Sequence, residues 1–270
     1  MARTTTATPI PADIRLMNVT ALIVAALGAV ALVVVALLWI VKQPVFAVRA
    51  IKVEGDMAHN SVVTIRANAM TKLAGNFFTM DLGVARHAFE AVPWVRQAVV
   101  RRVWPNRLSV QLEEHRTVAL WVNAASGDDA PDKLVNSFGE VFEANLGDVE
   151  DEALPTLRGP EGSSARLLTL LGRLQPVFAT LDTRIDALAM SGRGSVHAEL
   201  DTGAEVELGR GSDDEIVART QTFVSTLPRV TGLYQRPLQS ADLRHHDGYA
   251  VRLKGVSTAA LDAAGKPQKK

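Results

Sequence analysis

The sequence predicts an α+β protein held to a membrane by one helix near its N-terminus. Three observations carry that reading. One apolar run without charge or proline occupies Thr20–Val41. Behind it lie many short stretches with period-two alternation of apolar residues, which read as strands. Among these sit a few longer stretches with apolar residues every three to four positions, which read as helices. Strands and helices are grouped rather than strictly alternating, so the sheets are expected to be mixed or antiparallel.

Residues 1–19 are Thr- and Pro-rich without periodicity and are expected to form an unstructured arm. The run 20–41 follows. A helix of ~22 residues spans ~33 Å, close to the ~30 Å hydrocarbon core of a bilayer. Trp39 stands near one end, where an indole favours the interface. The run is apolar on all sides and no second one exists to bundle with it, which argues against a buried core helix. A cleaved signal peptide would carry a shorter apolar region and a small-residue cleavage site. The nearest candidate, Ala47-Val48-Arg49-Ala50, lies beyond Lys42 and contains an arginine, so the run reads as an uncleaved anchor. Arg3 and Arg15 on one side nearly balance Lys42, Arg49 and Lys52 on the other, so charge leaves the orientation open.

Of 270 residues, 29 are basic and 29 acidic. Removing Arg3, Arg15, Lys42 and Asp13 leaves 26 basic against 28 acidic residues beyond the span. Such a neutral region has no long-range field to gather nucleic acid. Cysteine is absent, which excludes disulfides, thiolate chemistry and cysteine metal sites.

A strand is expected over 45–55, with Ala47, Arg49, Ile51 and Val53 on one face and Gly55 closing it. Asn60 or Ser61 caps a helix carrying Val62, Ile65, Ala69 and Leu73 on one side. Asp81 caps a second, with Leu82, Ala85, Phe89 and Val92 inward until Pro93 stops it. Residues 94–104 read as a strand, Pro105-Asn106 as a turn, and 107–114 as the hairpin partner, with Leu108, Val110 and Leu112 alternating. Residues 117–122 form a strand and 126–132 a polar loop. Ser163 or Ser164 opens a helix with Leu167, Leu170, Leu171, Leu174 and Phe178 on one face. Strands follow over 186–190, 196–200 and 205–209. Ser212 and Glu215 fit a capping box. Behind them Ile216, Thr220, Phe223 and Leu227 face inward until Pro228 ends the helix. A last hairpin joins 239–243 to 249–253 through a tight turn at Asp247-Gly248. Residues 255–270 read as a disordered tail.

The segments FAVRAIKVEG, NFFTMDL and VPWVRQAVVRRVWPNRLSVQLEEHRTVALW, in strand–helix–helix–strand–strand order, resemble the POTRA domain of the FtsQ/DivIB bacterial cell-division family. LVNSFGEVFEA (134–144), LPTLRGPEGS (154–163), ELGRG (207–211) and SADLRHHDGYAVRL (240–253) resemble that family's short hairpin, its loop into the next helix and its late strands. The resemblance implies a span at 20–41, a POTRA domain at 46–115, and a second α+β domain with two long helices at 116–254. It also implies a cytoplasmic arm, a periplasmic bulk at the bacterial inner membrane, and concentration at the division septum.

Catalytic patterns are missing: there is no phosphate-binding Gly loop, no nucleophile elbow and no His-Glu-x-x-His. Asp242, His245, His246 and Asp247 are the nearest to a metal set, yet neighbouring strand residues point to opposite faces. The carboxylates Glu113-Glu114 and Glu150-Asp151-Glu152 would be the machinery of a membrane-tethered envelope hydrolase, the alternative class. Their settings, a strand end and a loop, do not suit it. The run Trp94, Arg96, Arg101, Arg102, Trp104 and Arg107 reads as a hairpin with outward arginines rather than a nucleic-acid surface. A third reading, a component of outer-membrane protein transport, would call for several POTRA copies or a β-barrel. The expectation is a protein without enzymatic activity, cofactor, metal or small-molecule substrate.

What remains is recognition at a sheet edge, where unpaired backbone groups accept a partner strand. The last predicted strand, 248–254, is the candidate. The resemblance implies that the partner is FtsB, itself joined to FtsL, and that other division proteins meet the POTRA domain and the span. By position it implies contacts from His245, Tyr249, Val251 and Leu253, and from Arg193 in the 191–195 segment. At His245 and Leu253 the match to the family is looser, which leaves backbone pairing as the expected constant.

Overall fold

A computed structural model of the chain describes residues 12–55, 58–61, 63, 65, 75–124, 133–245 and 248–255. Two compact units are formed, one up to Glu113 and one from Glu114.

The first unit opens with helix α1, Ala12–Val41, whose apolar part runs Leu16–Val41. It is long and apolar enough to cross a membrane. The helix starts within the stretch expected to be an unstructured arm. Pro11 is the last residue able to interrupt it, and a proline is tolerated just ahead of a first turn.

After a short 3₁₀ turn at Pro44–Phe46 come strand β1 (Ala50–Gly55), helix α2 (Leu82–Glu90), and strands β2 (Val95–Val103) and β3 (Arg107–Glu114). Strand β1 is shorter than expected, because Pro44–Phe46 takes the helical turn and only Ile51 and Val53 point inward. The helix expected from Ser61 to Leu73 falls mostly outside the described residues; Val63 and Ile65 are helical and Ile65 is fully buried. Asp81 caps α2, its Oδ1 accepting from the amides of Gly83 (2.7 Å) and Val84 (3.3 Å). The sheet order is β1-β3-β2, with β1 parallel to β3 in the register Ala50↔Arg107 to Gly55↔Leu112. Ala85, Phe89 and Val92 pack with Leu108, Val110 and Leu112 in one core, as the alternation of β3 predicts. At Gly55 (φ +136°) a Cβ would stand 2.1 Å from the Leu112 carbonyl oxygen, so only glycine ends β1 there.

The second unit contains β4 (Thr117–Asn123), β5 (Lys133–Asn136), β6 (Val141–Phe142), β7 (Thr156–Gly159), α3 (Ser164–Ala179), β8 (Ile185–Met190), β9 (Val196–Leu200), β10 (Glu205–Gly209), α4 (Asp213–Tyr234), β11 (Leu238–Asp242) and β12 (Ala250–Leu253). Among the described residues its nine strands form one mixed sheet in the order β12-β11-β10-β9-β8-β7-β4-β5-β6. The polar loop expected at 126–132 lies outside the described residues.

Both long helices are crossovers between parallel neighbours: α3 links β7 to β8, and α4 links β10 to β11. Leu167, Leu170, Leu174 and Phe178 of α3 and Ile216, Phe223 and Leu227 of α4 meet the inward residues of the sheet in a single core. Thr220 is buried among them, and its hydroxyl donates to the Ile216 carbonyl at 2.8 Å.

Three local expectations change. Thr156–Gly159, expected to be loop, is strand β7, hydrogen-bonded on both sides. Helix α4 passes through Pro228 to Tyr234. A proline there forfeits one intrahelical bond, and the residues of α4 that hold it against the sheet, Phe223, Val224 and Leu227, all come before it. The connection between β11 and β12 runs from Leu243 to Tyr249 and is no tight turn; Asp247, expected in it, is outside the described residues. The Ser212–Glu215 capping box forms in both directions, at 2.8 and 3.3 Å.

Candidate partner-binding edge

Strand β12 is the terminal strand of the nine-stranded sheet. It pairs antiparallel with β11, placing Val251 opposite Ala241 and Ala250 opposite Asp242. Among the described residues no strand pairs with its other side.

The direction of its backbone groups follows from one bond. The Lys254 amide donates to the Pro237 carbonyl at 2.9 Å, so it points toward the β11 side. Backbone groups alternate along a strand, so those of Arg252 and Ala250 also face β11. Those of Val251 and Leu253 face outward, at the open edge. Each offers one donor and one acceptor to an incoming strand.

Side chains alternate on the perpendicular axis. Tyr249, Val251 and Leu253 point into the core: Leu253 is 5% exposed, and Tyr249 and Val251 pack on the same cluster. The Tyr249 ring meets Phe223 edge-on at 5.1 Å, and its hydroxyl hydrogen-bonds the Thr226 hydroxyl. These three positions therefore present backbone rather than side chains. Ala250 and Arg252 are exposed on the opposite face.

His245 is exposed in the loop before β12. Arg193 is exposed in the turn between β8 and β9. The strand directions put that turn and the His245 loop at the same end of the sheet. About three strand spacings, roughly 14 Å, separate them. A strand laid on β12 reaches Arg193 only by continuing across that end.

Asp242 and Arg244 fix the start of the loop. The Asp242 carboxylate accepts from Arg244 Nε (2.9 Å), a terminal guanidinium nitrogen (2.6 Å) and the Arg244 amide (3.0 Å). The hydrogen bond from the Arg244 side chain holds the Asp242 pKa down from 3.8 to about 2. A depressed carboxylate stabilises the fold above its unfolded pKa and loses that contribution as pH falls through its folded one. The difference in thermal midpoint between the parent and Asp242→Asn is therefore expected to be full at neutral pH. It should shrink between about pH 4 and pH 2, as followed by circular dichroism. A pH-independent difference would remove the ion pair as its cause.

Beside the edge lies a groove that the sequence reading missed. Arg229, Val230, Leu233 and Tyr234 of α4 and Val251, Arg252 and Leu253 of β12 line a mainly apolar cavity of about 590 Å³. Leu233 is 76% and Tyr234 56% exposed, high for large apolar groups on a folded helix. Val230, Leu233 and Tyr234 carry the signal at helical spacing, but they lie beyond Pro228, where a helix is expected to end.

Glu113 pairs with Arg96 at 2.9 Å, while Glu150, Asp151 and Glu152 are exposed ahead of β7.

Comparison with known proteins gives matches to two family models. Residues 46–115 match the POTRA domain, FtsQ-type, and residues 119–244 match the C-terminal region of cell division protein FtsQ/DivIB. The second match stops ahead of β12. The chain is 37% identical over 254 residues to the cell division protein FtsQ of Thiomonas arsenitoxydans, covering 94% of this chain and 92% of that one. It is 38% identical over 245 residues to the FtsQ of Burkholderia pseudomallei, covering 90% and 94%. To the FtsQ of Bordetella pertussis it is 35% identical over 277 residues, covering 96% and 98%.

Proposed function

This chain belongs to the FtsQ/DivIB family of cell division proteins, and we propose that it serves the divisome as a non-enzymatic scaffold at the bacterial inner membrane. The arm before α1 lies in the cytoplasm and the two units behind it in the periplasm. At the septum the second unit binds the FtsB–FtsL pair and so helps control septal peptidoglycan synthesis. The POTRA unit and the span meet other division proteins.

The observation that carries the reading is the open edge of β12 with the groove beside it. A partner segment that pairs with the outward groups of Val251 and Leu253 gains backbone hydrogen bonds. An apolar side chain of the same segment can enter the groove between α4 and β12 and add specificity. The edge supplies general affinity and the groove supplies choice, which is the usual division of labour in strand addition. His245 adjoins β12 at one end of the sheet, and a partner that continues across that end would meet Arg193 as well.

Co-purification of FtsB and FtsL with the full chain from detergent extracts tests this, together with a fluorescent fusion imaged in dividing cells. The expected results are capture of both proteins and a band at mid-cell. A fusion spread evenly over the membrane, or a chain that brings down neither protein, would contradict the proposal.

A further inference from the structure

The end of the first unit nearest α1 gathers three segments. Eight residues separate α1 from β1, whose first pair is Ala50↔Arg107, with the Arg49 amide donating to the Asn106 carbonyl at 3.0 Å. The β2–β3 turn, residues 104–106, is therefore at the end where the chain leaves α1. The loop 75–80 is there too: Asn76 Nδ2 donates to the Val41 carbonyl at 2.6 Å, and the Phe77 amide to the Phe46 carbonyl at 2.8 Å.

Those segments share an unusual surface. Trp104 is 76% exposed, Val45 59% and Phe78 49%. The charge is one-sided as well. Segments 42–50, 75–81 and 101–107 contain Lys42, Arg49, Arg101, Arg102 and Arg107 against the single carboxylate of Asp81. Glu54, Glu90 and Glu113 lie at the opposite end, each paired with a basic side chain, Lys52, Arg86 and Arg96 in turn. Between Lys42 and Glu113 the unit carries ten Lys and Arg against five Asp and Glu, and five of those basic residues, with Asp81 alone against them, stand at this end beside the exposed aromatics.

We propose that this end is a membrane-binding face, seated on the anionic bilayer that α1 crosses. Indole and phenyl groups favour the headgroup level, and arginines beside them pair with lipid phosphates. Trp104 and Phe78 enter the interface while Lys42, Arg49 and Arg107 meet the phosphates. Two attachments, a helix and a face, then hold the unit upright instead of leaving it to swing on the 42–49 segment. The partner is the lipid surface because the membrane segment ends at this same surface and the charge has the complementary sign. The inference rests on reading α1 as a span, and the test separates the two.

The full chain is placed in nanodiscs whose lipids carry bromine near the headgroup, a contact quencher of indole fluorescence. Trp94 and Trp121 are buried, at 3% and 4% exposure. Trp39→Phe therefore leaves Trp104 as the exposed reporter, and Trp104→Phe leaves Trp39. With phosphatidylglycerol present, Trp104 is expected to be quenched and blue-shifted. Quenching should fall in discs of phosphatidylcholine alone, at high salt, and in Arg49→Glu/Arg107→Glu. The lipid and salt arms need no charge reversal, so they stand even if that variant folds badly. Trp104 unquenched in anionic discs while Trp39 is quenched would overturn the face and leave the span; a protein occupant would give this result. Neither tryptophan quenched would overturn both.

Discussion

Val251→Pro is expected to abolish capture of the FtsB–FtsL pair while the second unit stays folded. The Val251 amide faces the open edge, so its loss leaves the β11–β12 ladder intact. Proline is tolerated at the outward positions of edge strands for that reason. The incoming strand loses one hydrogen bond, worth about 0.5–1.5 kcal/mol net, and meets the pyrrolidine ring where its own carbonyl would sit. Together these should weaken binding by at least about tenfold, since ~1.4 kcal/mol is one decade. Arg252→Pro is the control. Its amide faces β11, so it should lower the thermal midpoint and detach β12. Pull-down and thermal melting of the two variants check the pair. Equal binding by Val251→Pro and the parent would count against strand addition at this edge.

The second large effect concerns the support of that edge. Phe223 is fully buried in α4 and meets the inward face of Tyr249. Phe223→Ala is expected to cost about 3–5 kcal/mol, a large share of the ~5–15 kcal/mol that holds a typical domain together. Tyr249 would lose its ring partner, and with it β12 would lose an anchor on the core. Denaturant titration should show a midpoint well below that of the parent. Partner capture should fall in parallel with stability, unlike Val251→Pro, where capture falls alone. Phe223→Leu, which keeps most of the volume, should cost less than about 1.5 kcal/mol. Equal costs for the two would mean that the site relaxes to fill the space.

Much of the fold was legible because burial writes a period into the sequence. The stripe Leu167–Phe178, the capping pair Ser212 and Glu215 and the alternation Leu108–Val110–Leu112 are all used as their spacing implies. Strand β7 was hidden. Its four residues stand between Pro155 and Pro160, too few to show a period, and its place between two parallel strands leaves no local trace. Parallel pairing in general was invisible, since the partners of β4, β7 and β10 lie across long connections. Pro228 misled because a proline read locally ends a helix, whereas α4 continues through it to Tyr234.

The site was legible in part. The alternation of Tyr249, Val251 and Leu253 marked a strand with two unlike faces, but not which face the core takes. That depends on register against β11, which a tertiary contact sets. Arg193 and His245 could be named by resemblance, yet their placement at one end of the sheet needed the strand order. The groove needed the true end of α4.

Amide hydrogen exchange across residues 248–255, with and without FtsB–FtsL, tests the central claim most directly. In the unbound chain Arg252 should be protected by β11, with Val251 and Leu253 exchanging fast. On saturation with the pair, the Val251 and Leu253 amides should become protected and Arg252 should change little. Unchanged exchange at Val251 and Leu253 in the saturated complex would contradict the account.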